Sequence, residues 1–305
     1  MKFLTLEQGQ LGALVETTDK QVVVDLTAAA KAVDLSPVPE SLADVISWRD
    51  DQVVALWGLA QVVLEELQHE QPELCRPFSE VKPLAPITEP LRNIMCLGKN
   101  YLDHAREVAA KMQSSADAPQ APIIFTKATT AVIGPGDEIP AHSDLTSKLD
   151  YEAELALIIG REGRDIDPEQ ALDYVFGYTA FNDISARDLQ KDHVQWFRAK
   201  SLDGFAPMGP VVVHRSAMPE PSALQVSCHV NGEQRQCATL DHLIFDLPTI
   251  IATLSKGMTL KPGDIIATGT PAGVGMGFRP SKYLKPGDEV VVTVTGAGAL
   301  KNTVR

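Results

Sequence analysis

The run LDYEAELALIIG, residues 149–160, constrains this chain more than any other stretch. Its apolar residues read as the interior of a β-strand, yet it carries Asp150, Glu152 and Glu154. Residues two apart on a strand share a face, so Glu152 and Glu154 project side by side, followed by Ala156 and Ile158. Ala153, Leu155, Leu157 and Ile159 line the other face. Neither face has the composition of a solvated surface, and like charges inside an apolar wall need neutralising.

A third acid, Asp183, follows the apolar and aromatic residues 174–181. Two glutamates on one strand face and an aspartate from another element make an all-oxygen, negatively charged pocket. Such a pocket suits a hard divalent cation, Mg²⁺, Mn²⁺ or Ca²⁺, better than zinc. Pairing of Glu152 and Glu154 with surface Arg or Lys is the plain alternative.

In GKNYLDHAREV, His104 and Glu107 are three apart, so on a helix they share a face and the carboxylate can orient the imidazole. A histidine held in this way is a usable general base near neutral pH, although a solvated helix face carries the same spacing. Lys127 in IIFTK, Arg187 in SARD and Lys200 in RAKSLDGF stand in apolar or turn contexts. They are candidates for binding an anion, with ordinary salt bridges as the alternative.

The 305-residue chain has a net charge of −13. That balance argues against nonspecific binding to nucleic acid or anionic membrane, and an anionic ligand would need local cations such as these. Composition, with 44% hydrophobic and 22% charged residues, is that of an ordinary globular protein. No apolar run reaches the roughly 18 residues of a membrane span, and the first residues lack a signal-peptide core, so a cytoplasmic location is expected. Cys75, Cys96, Cys228 and Cys237 show no C-x-x-C spacing and read as reduced thiols. IIATGTPAGVGMG runs from a strand into a glycine-rich loop without P-loop or Rossmann context. Its hydroxyls and amides could bind a carboxylate, or it could be a series of tight turns.

Along the chain, GALVETTD and KQVVVDL read as strands. Residues 41–68 show helical spacing with Ser41 as a plausible cap, and the proline-studded residues 71–90 can be neither a long helix nor a central strand. This gives a small N-terminal α+β domain with its linker, residues 1–88, and a main domain, 89–305. The main domain reads as short strands with two helices, at NYLDHAREVAAKM and LPTIIATLSKGM. Pro-Gly-Asp turns beginning at Gly134, Lys261 and Lys285 each precede an apolar strand. The fold class is α+β, mainly β and largely antiparallel.

From about Asn93 to the C-terminus the chain resembles the fumarylacetoacetate hydrolase superfamily. The resemblance is carried by GKNYLDHARE, IIFTK, LDYEAELALIIG, GYTAFNDISARDLQ, AKSLDGFAPMGPVVV, VNGEQRQ, IIATGTPAGVG and LKPGDEV. It implies a β-roll or mixed β-sandwich catalytic domain, usually in a homodimer, with Mg²⁺ or Mn²⁺ held by Glu152, Glu154 and Asp183. It further implies a His104–Glu107 dyad on a lid-like segment and Lys200 facing a developing enolate. Lys127, Arg187, Gln190 and Thr270 are the implied substrate contacts. The implied chemistry is metal-dependent cleavage of a C–C bond in a small 2-oxo or 2,4-dioxo acid, by acylpyruvate hydrolysis or oxaloacetate decarboxylation. A keto–enol tautomerase or isomerase of the same fold is the nearest alternative, and a non-catalytic metabolite-binding protein is an alternative of another class. The short N-terminal segment is more similar to that of bacterial members acting on oxaloacetate or acylpyruvates than to fumarylacetoacetate hydrolase itself.

Overall fold

The structure is a computed structural model describing residues 1–112 and 118–305. Its organising element is the strand Ala153–Ile159, buried at every position. Burial on both faces explains why this run is nearly all apolar rather than alternating. It has antiparallel neighbours on both sides, Val175–Asn182 and Ile265–Ala267. Beyond Ile265–Ala267 the sheet continues through a parallel pairing to Ile94–Gly98 and an antiparallel one to Ile123–Lys127. On the other flank Val175–Asn182 pairs with Ala206–His214.

The N-terminal segment extends this same sheet. Lys2–Thr5 lies antiparallel to Ala206–His214 with Phe3 opposite Val212, and Leu11–Glu16, Gln21–Asp25 and Cys75–Pro77 follow outward. The result is an 11-stranded sheet. The proline-rich segment thus supplies an edge strand, where a missing N–H is tolerated. The helical spacing of residues 41–68 resolves into Leu42–Val45, Asp50–Val62 and a π turn at Val63–Leu67. Ser41 stands at the first N-cap, its amide donating to the Asp44 carboxylate at 2.8 Å. Trp57 of the longer helix packs edge-on against Phe3, with ring centroids 5.9 Å apart.

A second, five-stranded sheet contains Gln225–Val230, Glu233–Thr239, Glu289–Val294, Gly298–Val304 and Glu138–Ile139. Apolar side chains of both sheets belong to one continuous core. The Pro-Gly-Asp motifs form the expected turns. Gly136, Gly263 and Gly287 have φ of 77°, 88° and 93°, and the aspartate that follows each accepts the amide three residues back at 2.7–2.9 Å. Positive φ at the third position is what a type II turn requires. The two expected helices are Leu102–Met112 and Leu247–Ser255. Among the described residues no helix is long and apolar enough to cross a membrane.

Candidate active site

The sheet order brings the acids together. Ala153–Ile159 lies between a strand that ends at Asn182, just before Asp183, and one that ends at Ala267, just before Thr268–Gly269–Thr270. The Asp183 amide donates to the Glu152 carbonyl at 2.8 Å, which fixes the two backbones at the point where the acids emerge. Carboxylate oxygens of Glu152, Glu154 and Asp183 lie within 4.8 Å of one another, and all three residues are buried.

Cations from three further elements close on this group. The Lys200 ammonium donates to Glu152 at 2.7 Å and to Asp183 at 2.6 Å. Lys127 donates to the other Asp183 oxygen at 2.5 Å and to the Ile184 carbonyl at 3.0 Å. Arg187 pairs with Glu152 at 2.7 Å and donates to Asp150 at 2.9 Å. Asp150 also accepts the amides of Gly275 and Met276, at 2.6 and 2.9 Å, and so ties the arginine to the glycine-rich loop.

The acids Asp150, Glu152, Glu154 and Asp183 therefore face Lys127, Arg187 and Lys200, which leaves one negative charge without a partner. Glu154 is the residue left over. One of its oxygens accepts the Gly269 amide at 2.8 Å, and the other, Oε1, is buried with no hydrogen-bond partner. Burial pushes the Glu154 carboxyl well above the usual carboxylate range, and the charges of Asp183 and Glu152 push it further. For Glu152 burial acts in the same upward direction, but Lys200 and Arg187 outweigh it and hold the carboxyl well below that range. Burial would lower the Lys200 pKa, yet Asp183 and Glu152 raise it and keep the ammonium charged, whereas for Lys127 burial wins over Asp183. A buried carboxylate oxygen with no partner beside two other carboxylates fits a hard divalent cation, whose preferred donors are oxygens. Glu152, Glu154 and Asp183 would hold it.

Glu152 opens onto a cavity of about 150 Å³. Its polar lining comes from Glu152, Arg187, Gln190, Lys200, Thr270 and His104, together with Lys99 and Lys191. His104 is almost fully buried, and its Nδ1 lies 3.4 Å from Glu107 Oε2. Glu107 accepts the Gly273 amide at 3.0 Å, and Gly277 packs so closely that a Cβ there would stand 2.1 Å from Glu107 Oε1. The dyad helix is thus held by the same glycine-rich loop that Asp150 anchors. Gln190 accepts from Arg187 at 3.1 Å, so its amide N–H groups remain for another acceptor.

Two expected substrate contacts sit differently from their neighbours. Lys127 is fully buried behind Asp183 and does not line the cavity, and its role there is that of a counter-ion. Thr270 lines the cavity, but its hydroxyl donates to the Ala153 carbonyl and accepts from Gln236, so it ties the loop to the acid strand.

Sequence reasoning passed over several residues that shape the site. Asp150 stood in the same run as the glutamates, and its place at the start of the D-x-E-x-E spacing was a usable signal. Asn100 bonds the carbonyls of Thr268 and Phe245 at 2.9 and 3.0 Å, stapling the start of the dyad helix to the strand end. Gly269 has φ +99°, and a Cβ there would lie 2.8 Å from that of Asn100, so only glycine fits where the backbone meets Glu154. Asn182 and Gln236 accept the amides of Glu152 and Ala153, at 3.1 and 3.0 Å. These are long-range contacts with no local pattern to mark them.

Residues 93–305 match the model of the fumarylacetoacetate (FAA) hydrolase C-terminal family. Over its full length the chain is 47% identical to oxaloacetate tautomerase YisK of Bacillus subtilis (strain 168), covering all of both chains. Among solved structures it is similar to a fumarylacetoacetate hydrolase from psychrophilic Exiguobacterium antarcticum, with TM-score 0.79, 41% identity and coverage of 100% and 99% of the two chains. It is also similar to maleylpyruvate hydrolase from Sphingobium sp. SYK-6 in complex with manganese(II) ion and pyruvate, with TM-score 0.74, 29% identity and coverage of 100% and 98%.

Proposed function

The chain belongs to the fumarylacetoacetate hydrolase family, and on that premise we propose that it interconverts the keto and enol forms of a short dicarboxylic 2-oxo acid such as oxaloacetate, with Mg²⁺ or Mn²⁺ as cofactor. The observation that carries this reading is the small cavity lined by Lys200, Arg187 and the buried His104, whose imidazole faces the half-buried Glu107. At about 150 Å³ it is well below the roughly 300–1,000 Å³ of pockets for drug-sized ligands, which favours a compact acid. The full-length likeness to an oxaloacetate tautomerase supports the same choice.

When bound by Glu152, Glu154 and Asp183, the metal supplies Lewis acidity toward a 2-oxo group. The chain's own residues account for the proton movements. Arg187, pre-oriented by Asp150 and Glu152, and Gln190 receive a substrate carboxylate. Lys200 stabilises the negative charge that develops on the C2 oxygen as the enol forms. His104 removes the proton from C3, the C2 oxygen takes up a proton from solvent as the enol forms and His104 releases its own, and the reverse direction returns a proton to C3, while Glu107 orients the imidazole and balances its positive charge.

Hydrolytic or decarboxylating C–C cleavage is the second reading. The likeness to a maleylpyruvate hydrolase supports it, since the same dyad could activate water against a distal carbonyl. Family resemblance also carries a homodimer and a cytoplasmic location into the proposal. The test is to supply the protein with Mg²⁺ or Mn²⁺ and follow oxaloacetate by its enol absorbance and acetylpyruvate by NMR. Accelerated decay of the enol without pyruvate formation is expected. Acetate plus pyruvate from acetylpyruvate, or CO₂ plus pyruvate from oxaloacetate, would assign cleavage instead.

A further inference from the structure

Part of the cavity lining is apolar, and the proton-transfer chemistry leaves it unused. Leu97, Val108, Phe125, Trp196 and Met276 contribute it. Trp196, half-buried, is the largest of these. Its indole meets Phe125 edge-on, with centroids 5.3 Å apart. It also lies directly on Gly98, where a Cβ would stand 2.6 Å from the ring carbon Cζ3. Glycine at the end of the Ile94–Gly98 strand is therefore what lets the indole reach this position.

Trp196 is coupled to the chemistry through its backbone. Its carbonyl accepts the amides of Ala199 and Lys200 at 2.9 and 3.1 Å, so the turn that presents Lys200 starts at the tryptophan. The Lys200 ammonium in turn stands 5.0 Å from the centroid of the Phe125 ring. Phe125 thus meets both the indole and the Lys200 cation. An apolar wall fixed this close to the charged groups limits how far a bound acid can extend beyond its 2-oxo carboxylate end.

We propose that Trp196, seated on Gly98 and braced by Phe125, is the specificity-determining residue that caps the substrate chain and restricts the site to short 2-oxo acids. This rests on the reading of the site as a 2-oxo acid site and adds the acceptable length. A rigid indole rejects extra methylenes by steric exclusion, and its removal creates apolar space into which they can be buried.

The test is calorimetric binding of oxaloacetate and 2-oxoadipate to Mn²⁺-supplied wild type, Trp196→Phe and Trp196→Ala. The quantity read is the ratio of the two dissociation constants. For two added methylenes the ratio is expected to move by roughly tenfold or more toward the longer acid in Trp196→Ala, with Trp196→Phe between. The phenylalanine variant retains an aromatic partner for Phe125, which keeps the test informative if the alanine variant does not fold. If both acids bind and the ratio is the same in wild type and both variants, Trp196 does not set length and the inference is overturned while the 2-oxo acid reading stands. If wild type binds neither acid, that reading falls and the inference with it.

Discussion

The floor of the site and the helix above it are built by opposite means. On the floor, Asp183 is held by two lysines and Glu152 by a lysine and an arginine, all of them buried. These side chains come from separate strands, loops and short helices, so each position is fixed by several independent parts of the fold. Above, His104 lies 3.4 Å from Glu107, which among the described residues is in turn held by one loop amide, that of Gly273. The difference separates two needs. A cluster of like charges must be fixed rigidly because any unpaired member is costly, whereas a proton-transferring pair needs only orientation at the moment of reaction.

Removing a cation from the floor should break this arrangement most strongly. Lys200→Met leaves Glu152 and Asp183 short of a counter-charge, and loss of one partner of a buried pair costs about 3–5 kcal/mol. Urea unfolding of the metal-free protein should show a loss of that order, partly recovered on adding Mn²⁺. An unchanged midpoint would mean that the floor is not held by these charges. His104→Ala should instead leave stability and Mn²⁺ affinity within about twofold, while turnover falls by roughly 10²–10⁴, the usual contribution of a general acid–base. Equal losses in affinity and turnover would make the histidine a metal ligand.

Glu154 sharpens the contrast because its carboxyl has an oxygen without a partner. With its pKa raised on folding, the folded chain holds this proton more tightly than the unfolded chain. Its contribution to metal-free stability is therefore present at low pH and lost as pH rises from the ordinary carboxylate range through the raised folded value. Metal binding must displace that proton. Titration of Mn²⁺ in buffers of different ionisation enthalpy should show proton release just above the usual carboxylate range. Glu154→Gln should abolish the release and weaken Mn²⁺ by roughly 100-fold or more. Release that persists in the variant would assign the proton elsewhere.

The smallest expected effect lies in the helix. Glu107→Gln should lower turnover by about tenfold, as loss of an orienting partner does. Hydrogen exchange should then show faster exchange of the Gly273 amide and no change at Gly269, whose amide is bound to Glu154. Faster exchange at both would mean that the floor and the helix are one cooperative unit.

What the sequence disclosed follows the range of the interactions concerned. The Pro-Gly-Asp turns, the Ser41 cap and the His104–Glu107 spacing are local, and the structure repeats them directly. The acid strand was legible because burial on both faces left no polar alternation apart from the acids themselves. Lys127 was visible as an odd cation, but only the pairing of Ile123–Lys127 with Ile94–Gly98 places it behind Asp183. Likewise, nothing in residues 1–25 announces that Lys2–Thr5 will join Ala206–His214, because that register is set by packing across more than 200 residues of chain. The cap formed by Trp196 depends on a glycine about a hundred residues earlier, which no local pattern marks.

The account's central claim is metal-dependent proton transfer at C3 of a short 2-oxo acid. Its most direct test is NMR of oxaloacetate in D₂O with metal-free protein, before and after addition of Mg²⁺. Deuterium should enter C3 well above the uncatalysed rate only when metal is present, with no more pyruvate than the metal alone produces. Formation of pyruvate and CO₂ ahead of any exchange, or exchange indifferent to Mg²⁺, would contradict it.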